Sequence, residues 1–342
     1  MPLECLQHSL TYEERDAILA LLERDGYAIL PRKLPADDVV ALQAATLTLA
    51  NSVREGMPTD GARSVKIANV VDAHPTFLEL AMYPPALQLA YDSFGCGAFH
   101  LNQSNCVARV REAGLPAFNF VSASPWHADG PRPAAKGSPF PSPQGAQGAV
   151  GLHYIKFGYF FTDLTHGTGG SLQVVRGSHM HAELDGRGGS AAGQVSSTAA
   201  PGAFDPAHYH DDIVKLDCAA GTIVVFHQAQ WHAALPNESD VERLNAYVSY
   251  CPTWMRPVDR DFPSVESLAI RGLMGTPAGF LLGEPRPPQR WWVPSLEPRR
   301  VWAGRVPGGF AGKVRSSSGC HVHMRLCDGR ALSRQLITCR VP

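Results

Sequence analysis

Short runs of β-branched and aromatic residues, interrupted by Gly and Pro, fill the chain from about residue 98 to residue 250, and this pattern constrains the fold most. Runs of this length and spacing indicate strands rather than helices. The seven candidate strands cover residues 98–103, 105–111, 152–162, 171–176, 213–217, 221–227 and 244–250. Several short strands with a helical layer before them predict a mainly β protein, a jelly roll with helices packed on one of its sheets.

The N-terminal third of the chain is predicted to be helical. Thr11 followed by Glu14 is a capping-box pair that begins the first helix, and Asp25-Gly26 ends it. An apolar run at residues 27–31 is then the first predicted strand. Further helical spacing covers about 35–49, 75–82 and 85–94.

The 342 residues are enough for one large domain with a sizeable core. We expect a single domain over residues 1–280, with a helical part at 1–95 and the jelly roll at 96–255. A Pro- and Arg-rich basic extension follows at 281–342. Basic tails can bind nucleic acid, but more often they are solvated extensions, and we therefore expect no nucleic-acid partner.

Composition indicates in which cell compartment such a protein works. No apolar run approaches the ~20 residues that a membrane span needs, and charged residues break up the first 30 positions, unlike a secretory signal. The eight cysteines include no Cys-x-x-Cys pair, which favours reduced thiols over a disulfide framework. We expect a cytoplasmic protein that acts on a small molecule. The sequence predicts no oligomeric state.

Two motifs carry candidate chemistry. In the first, His127 and Asp129 are two positions apart, so on an extended strand both side chains face the same way and can grip one ion. Taken alone, this pair also fits an Asp-Gly turn beside a buried histidine. In the second motif, an apolar strand at 221–226 leads to His232, and Arg243 follows after ten intervening residues.

Two imidazoles and one carboxylate are the ligand set of the non-haem iron(II) oxygenases. Three protein ligands leave three positions of an octahedral ion open, so a 2-oxo acid can chelate two of them and dioxygen can take the third. An arginine suits the distant carboxylate of such a co-substrate, because its planar guanidinium offers two parallel donors.

These residues resemble the phytanoyl-CoA dioxygenase family of iron(II)- and 2-oxoglutarate-dependent oxygenases. That family combines His-x-Asp with a distal His and an Arg eleven positions further on, here His127, Asp129, His232 and Arg243. The segment from Gly169 to His179 resembles the family's stretch before its Pro-Gly-Ser-His turn, with Arg176 in place of the usual Pro. Three shorter matches lie elsewhere, at Asp25-Gly-Tyr27, His74-Pro75 and Thr162-Asp-Leu-Thr165. The likeness runs from about residue 12 to residue 255 and implies a double-stranded β-helix of the cupin-like kind.

The resemblance also implies an activity. It is the oxidation, most simply the hydroxylation, of an unactivated C–H bond in a small, largely apolar metabolite. Iron(II), 2-oxoglutarate and O2 take part, and succinate and CO2 are released. Relatives that halogenate lack the carboxylate that Asp129 supplies here. Arg243, Asn245 and Gln103 are the expected contacts of 2-oxoglutarate.

Several alternatives accompany this interpretation. A jelly-roll protein could bind metal without catalysis, or act as a cupin-type enzyme without 2-oxoglutarate. His227 is the rival distal ligand, although the spacing to Arg243 favours His232. Lys156 fits either a second carboxylate partner inside the barrel or an ordinary lysine at the surface of the sheet. His179 is expected to stabilise a turn. Other positions of interest are the aromatic residues Phe118, Phe120, Trp126 and Trp231, the Pro-rich loop 131–149, interpreted as a pocket lid, and the rejected metal motif Cys320-His-Val-His323.

Overall fold

The computed structural model describes residues 9–56, 64–95, 98–111, 124–129, 152–180, 210–259 and 261–284. The expected lid loop at 131–149, the aromatic residues Phe118 and Phe120, and the chain beyond residue 284 lie outside the described residues. In the part that is described, no helix is long and apolar enough to cross a membrane. Its three cysteines, Cys106, Cys218 and Cys251, are free buried thiols.

The predicted capping box begins the first helix. The Thr11 hydroxyl accepts from the Glu14 amide at 3.2 Å, and the Glu14 carboxylate accepts from the Thr11 amide at 2.8 Å. Gly26 ends this helix with φ at 81°, in the left-handed region that suits glycine. The described helices are α1 (Tyr12–Asp25), α2 (Ala36–Glu55), α3 (Val70–Ala73), α4 (Pro75–Ala81), α5 (Pro84–Phe94), α6 (Val265–Ile270) and α7 (Pro277–Leu281).

Two antiparallel sheets form the jelly roll. The larger sheet has the strand order β1-β8-β5-β10-β3-β2, and the smaller sheet has the order β4-β9-β6-β7. The described strands are β1 (Tyr27–Ile29), β2 (Val65–Ala68), β3 (Phe99–Arg109), β4 (Ser124–His127), β5 (Ile155–Phe160), β6 (Leu172–Val175), β7 (Ile213–Leu216), β8 (Ile223–His227), β9 (His232–Ala234) and β10 (Arg243–Pro252). The predicted fold class, mainly β with helices on one sheet, is confirmed.

Strand pairing assigns the two faces of the larger sheet. Phe157, Tyr159, Val225 and Tyr250 project to one face, where they join the main apolar core with residues of the helices. Their alternating neighbours project to the other face, towards the smaller sheet, because successive residues of a strand point in opposite directions. This interior face contains Phe160, Val224, Phe226 and Tyr247, which pack with Leu172, Val174 and Leu216 of the smaller sheet. The interior face is the one that carries the site.

Most of the predicted elements are present, and the differences are local. The separate runs predicted at 98–103 and 105–111 are one strand, β3, whose pairing with β10 shifts register between Ser249 and Tyr250. The bulge lies at Asn102, which no residue of β10 opposes. Strands β2 and β9 were not predicted, because their four and three residues give too weak a signal.

Candidate metal centre

Strands β4 and β9 bring the three predicted metal ligands together. His127 and His232 are direct partners in this antiparallel pair, and their ring centroids are 4.2 Å apart. Asp129 lies two residues beyond His127, past the end of β4, so it approaches from a bend rather than from the strand itself. One ligand atom from each of these three side chains lies within 4.8 Å of the other two. Among the described residues, this is the group of histidine, cysteine and carboxylate side chains that could hold an ion.

The carboxylate of Asp129 lies between the two imidazoles. Its Oδ1 is 3.6 Å from Nε2 of His127, and its Oδ2 is 3.6 Å from Nε2 of His232. Nitrogen and oxygen ligands bind such ions at about 2.0–2.2 Å, which places neighbouring ligand atoms about 3 Å apart. The side chains therefore need only small shifts to close on one ion.

The orientation of the His232 ring is fixed by its other nitrogen. Nδ1 lies 2.9 Å from the carbonyl oxygen of Gln230, and a carbonyl only accepts, so Nδ1 carries the proton. Burial, reinforced by the charge at His127, lowers the pKa of His232 to about 3. The ring is therefore neutral near pH 7, with the Nε2 lone pair directed at Asp129. This is the arrangement that metal-ligating histidines use.

Lys156 projects from β5 into the interior and meets the same carboxylate. Its Nζ is 2.6 Å from Oδ2 of Asp129, and its side chain is only 6% exposed. The ammonium also lies 5.1 Å from the Tyr247 ring centroid and 5.8 Å from that of Phe226. Burial raises the pKa of Asp129, but Lys156 and the two histidines outweigh it, so this pKa lies well below its usual value. Lys156 thus points into the barrel, as one of its two interpretations has it, and the carboxylate that it contacts is that of Asp129.

The rival ligand His227 lies apart from this group. Its Nδ1 accepts a hydrogen bond from the Ala229 amide at 3.0 Å, and its ring lies 5.1 Å from that of His179. His179 in turn contacts the carbonyl of Glu23 at 3.0 Å through Nε2. Both rings thus serve the junction between α1 and the larger sheet.

Arg243 begins β10 and is almost fully buried, with 2% exposure. Its Nη1 donates to the carbonyl of Gly170, and its Nε donates to Oδ1 of Asn245 at 3.2 Å. Because Oδ1 of Asn245 faces Arg243, the other end of the side-chain amide, Nδ2, is turned away from Arg243. This Nδ2 is buried without a hydrogen-bond partner among the described residues. The strand after His232 does not pair with β9, since β10 belongs to the larger sheet, so Arg243 and His232 lie on different sheets.

Register places Gln103 on the same interior face. It pairs with Ser249, which pairs on its other side with Lys156. The side chain is half-buried, and the described residues include no hydrogen-bond partner for it. Two of the aromatic residues noted in the sequence, Trp126 and Trp231, pack with Val175 in a small apolar cluster.

Two residues of this face were not singled out from the sequence. Arg109 is the direct register partner of Arg243, and its Nη1 lies 3.5 Å from the carbonyl of Leu235. Asn105 pairs with Tyr247 and is fully buried. Both have the same odd-numbered parity along β3 as Gln103, so alternation along a single strand would have indicated them.

The residues present fit a metal and a dicarboxylate co-substrate. Two imidazoles and a carboxylate supply the donors for a divalent ion. A guanidinium and an unpaired amide N–H, both buried on the facing sheet, supply the donors that a second carboxylate needs. A jelly roll with this arrangement defines the class of non-haem iron oxygenases that depend on 2-oxoglutarate.

The chain belongs to the phytanoyl-CoA dioxygenase family, whose model matches residues 22–245. The match begins within α1 and ends at Asn245, so it includes both metal-ligand motifs and Arg243. The sequence-based resemblance to this family is thus confirmed.

Solved structures share the fold at low sequence identity. HygX from Streptomyces hygroscopicus, solved with nickel and 2-oxoglutarate bound, is 17% identical, with 78% of this chain and 95% of that chain covered and a TM-score of 0.52. The epimerase SnoN, solved in complex with Fe3+, alpha ketoglutarate and nogalamycin RO, is 18% identical, with 71% and 85% covered and a TM-score of 0.51. These likenesses establish the fold. No protein of curated function matches the chain by sequence comparison.

Proposed function

We propose that the protein is an iron(II)- and 2-oxoglutarate-dependent dioxygenase that hydroxylates an unactivated C–H bond of a small, largely apolar metabolite. The observation that carries the proposal is the meeting of His127, Asp129 and His232 within 4.8 Å on one side of the interior, with buried Arg243 on the facing sheet. When bound, iron(II) and 2-oxoglutarate would supply, together with O2, the oxidant for the C–H bond. 2-Oxoglutarate is then released as succinate and CO2.

Each protein residue then has a role that follows from its contacts. His127, Asp129 and His232 hold the ion through three ligands and leave its remaining positions open. Arg243 binds the distant carboxylate of 2-oxoglutarate, and its hydrogen bond to Asn245 turns the amide N–H of that residue towards the same group. Gln103 is the third proposed contact of the co-substrate.

Lys156 is a positioning residue. By donating to Oδ2 of Asp129, it leaves Oδ1 as the freer oxygen for the ion and holds the carboxylate against rotation. The rings of Phe226 and Tyr247 enclose this end of the interior, with the Phe226 centroid 5.1 Å from that of His232. Such an enclosure keeps water from the reacting atoms.

We also propose that the substrate is a small molecule and not a nucleic acid, and that the protein acts in the cytoplasm. The carboxylate of Asp129 supports hydroxylation over halogenation, because it occupies the ligand position that a halide would need. The single domain over residues 1–280 stays a prediction.

Anaerobic titration of the metal-free protein with iron(II), and then with 2-oxoglutarate, tests the proposal. We expect stoichiometric binding of both, followed by slow release of succinate on exposure to air. Arg243→Met should weaken 2-oxoglutarate binding, whereas the matched control Arg256→Met, at an exposed arginine paired with Asp261, should not. Tight metal binding without any 2-oxoglutarate binding would instead support the alternative of a non-catalytic or cupin-type metal protein.

A further inference from the structure

Asn105, in the middle of β3, has a buried amide that no described residue satisfies. The side chain is 0% exposed, and neither its Nδ2 nor its Oδ1 has a hydrogen-bond partner. Buried amides in folded proteins are almost always hydrogen-bonded, because an unpaired one costs free energy of folding. An amide with both ends unpaired therefore indicates a partner outside the part of the chain that the structure describes, and a bound ligand is such a partner.

Strand register places this amide in the interior. Asn105 pairs directly with Tyr247 of β10, and paired residues of an antiparallel sheet project to the same face. The Tyr247 ring is 6.4 Å from that of Phe226 and 5.1 Å from Nζ of Lys156, which holds Asp129. The neighbours Ser104 and Cys106 project the other way, towards α3 and the main core.

A second unpaired amide oxygen lies on the same strand, β3. Asn102, at the bulge of β3, donates through Nδ2 to the hydroxyl of Ser249 at 3.1 Å, but its Oδ1 has no partner among the described residues. Ser249 is the register partner of Lys156. Two buried amide oxygens, those of Asn105 and Asn102, thus lie on β3, near the register positions of Lys156 and its neighbours.

The chemistry of these atoms distinguishes the co-substrate from the substrate. The dianion of 2-oxoglutarate has only acceptor atoms, so it can satisfy the amide N–H groups of Asn245 and Asn105. It offers no proton to Oδ1 of Asn105 or of Asn102. These oxygens need a donor, which a hydroxyl or an amide N–H supplies.

We propose that Asn105 is a substrate-binding residue and that the substrate carries a hydroxyl or carboxamide group, which both donates to its Oδ1 and accepts from its Nδ2. This inference rests on the proposed oxygenase function and deepens it. The metabolite is apolar at the carbon that is oxidised, and a hydrogen-bonding group elsewhere in the metabolite binds to Asn105 of β3. Discrimination against an analogue without this group follows, because binding such an analogue leaves the amide unpaired.

Thermal unfolding of the ligand-free protein is the first test. Asn105→Leu, of similar shape, should leave the melting temperature unchanged or raise it, since an unpaired amide is removed. Asn237→Leu is the matched control, because Asn237 is equally buried but donates to the carbonyls of Arg109 and Val241. That control should lower the melting temperature by about 2–4 °C. An equal loss in both variants would mean that the Asn105 amide is satisfied within the protein, which overturns the proposal.

Binding of a small probe is the second test and uses the zinc(II)- and 2-oxoglutarate-loaded protein. Fluorine NMR compares 2,2,2-trifluoroacetamide, which both donates and accepts, with its N,N-dimethyl derivative, which only accepts. We expect the primary amide to bind about fivefold tighter, and both Asn105→Leu and Asn105→Ala to abolish that preference. Equal binding of the two probes to the unaltered protein, no binding of either, or a preference that survives in both variants would refute the proposal.

The outcomes separate this inference from the proposed function. If iron and 2-oxoglutarate bind but the probe preference is absent, only the role of Asn105 fails. If 2-oxoglutarate does not bind, the oxygenase proposal fails, and the melting comparison still decides whether the amide is unpaired.

Discussion

Among the described residues, two pairs of histidine rings lie close together, and only one pair is arranged as a metal site. The rings of His127 and His232 are 4.2 Å apart, and those of His179 and His227 are 5.1 Å apart. Burial lowers the pKa of both His227 and His232 to about 3. Proximity and burial therefore do not distinguish the pairs.

The difference lies in where the nitrogen lone pairs point and in the carboxylate. In the first pair, His232 donates through Nδ1 to a backbone carbonyl and directs Nε2 at Asp129. In the second pair, the Nδ1 lone pair of His227 accepts from the Ala229 amide, and among the described residues these two rings belong to no group that could hold an ion. The first pair is prepared to bind a cation, while the second stabilises the packing of α1 on the sheet.

The largest expected effect comes from removing one histidine of the first pair. His232→Ala should weaken iron(II) or cobalt(II) binding by at least about 100-fold, because one of three ligands is lost. His227→Ala should leave metal affinity within about twofold and instead lower the free energy of unfolding. Isothermal titration with cobalt(II), together with chemical denaturation, measures both. Equal losses of metal affinity in the two variants would show that the site extends to the second pair.

A smaller effect is expected from replacing Arg243, the proposed partner of the distant carboxylate of 2-oxoglutarate. Arg243→Met should weaken 2-oxoglutarate binding by about 10- to 100-fold, the usual value of a charge-assisted hydrogen-bonded pair. Pyruvate, which chelates a metal but has no distant carboxylate, should lose little affinity. Absorption titration of the anaerobic iron complex would measure both, and a similar loss for pyruvate would contradict the proposed contact.

Removing the cation beside the first pair sharpens the comparison further. In the metal-free protein, Lys156→Met leaves Asp129 without its ammonium partner, and we expect the free energy of unfolding to fall by about 2 kcal/mol. Lys215→Met, at a half-exposed lysine, is the control. Saturating cobalt(II) should restore much of the loss, since the ion then neutralises Asp129. A loss that cobalt(II) does not reduce would speak against Asp129 as a ligand.

The smallest effect concerns pH, and it should be common to both pairs. Unfolded histidine titrates near pH 6.5, whereas His227 and His232 have a folded pKa of about 3. The unfolded chain therefore binds protons first, and stability falls as the pH drops from about 6.5 towards about 3. In the metal-free protein, His227→Asn should make this decline shallower, as measured by denaturation at several pH values. An unchanged slope would contradict the neutral, buried state of His227.

Much of the local structure could be read from the sequence, because it depends on neighbours along the chain. Thr11 and Glu14 set the start of α1, and runs of β-branched and aromatic residues identify β5, β8 and β10. The family motif brings together His127, Asp129, His232 and Arg243, and their roles as ligands stay predictions. The short strands β2 and β9, of four and three residues, give too weak a signal and were not predicted.

Contacts between distant strands could be decided only by the tertiary structure. The choice of His232 over His227 as neighbour of Asp129, and the placing of Lys156 against that carboxylate, depend on which sheet each strand joins. The unpaired amide of Asn105 likewise follows from its register with Tyr247. These pairings join residues 27 to 142 positions apart, and no local preference encodes them. They are selected because a slip of one residue in register would turn every side chain of a strand to the opposite face of the sheet.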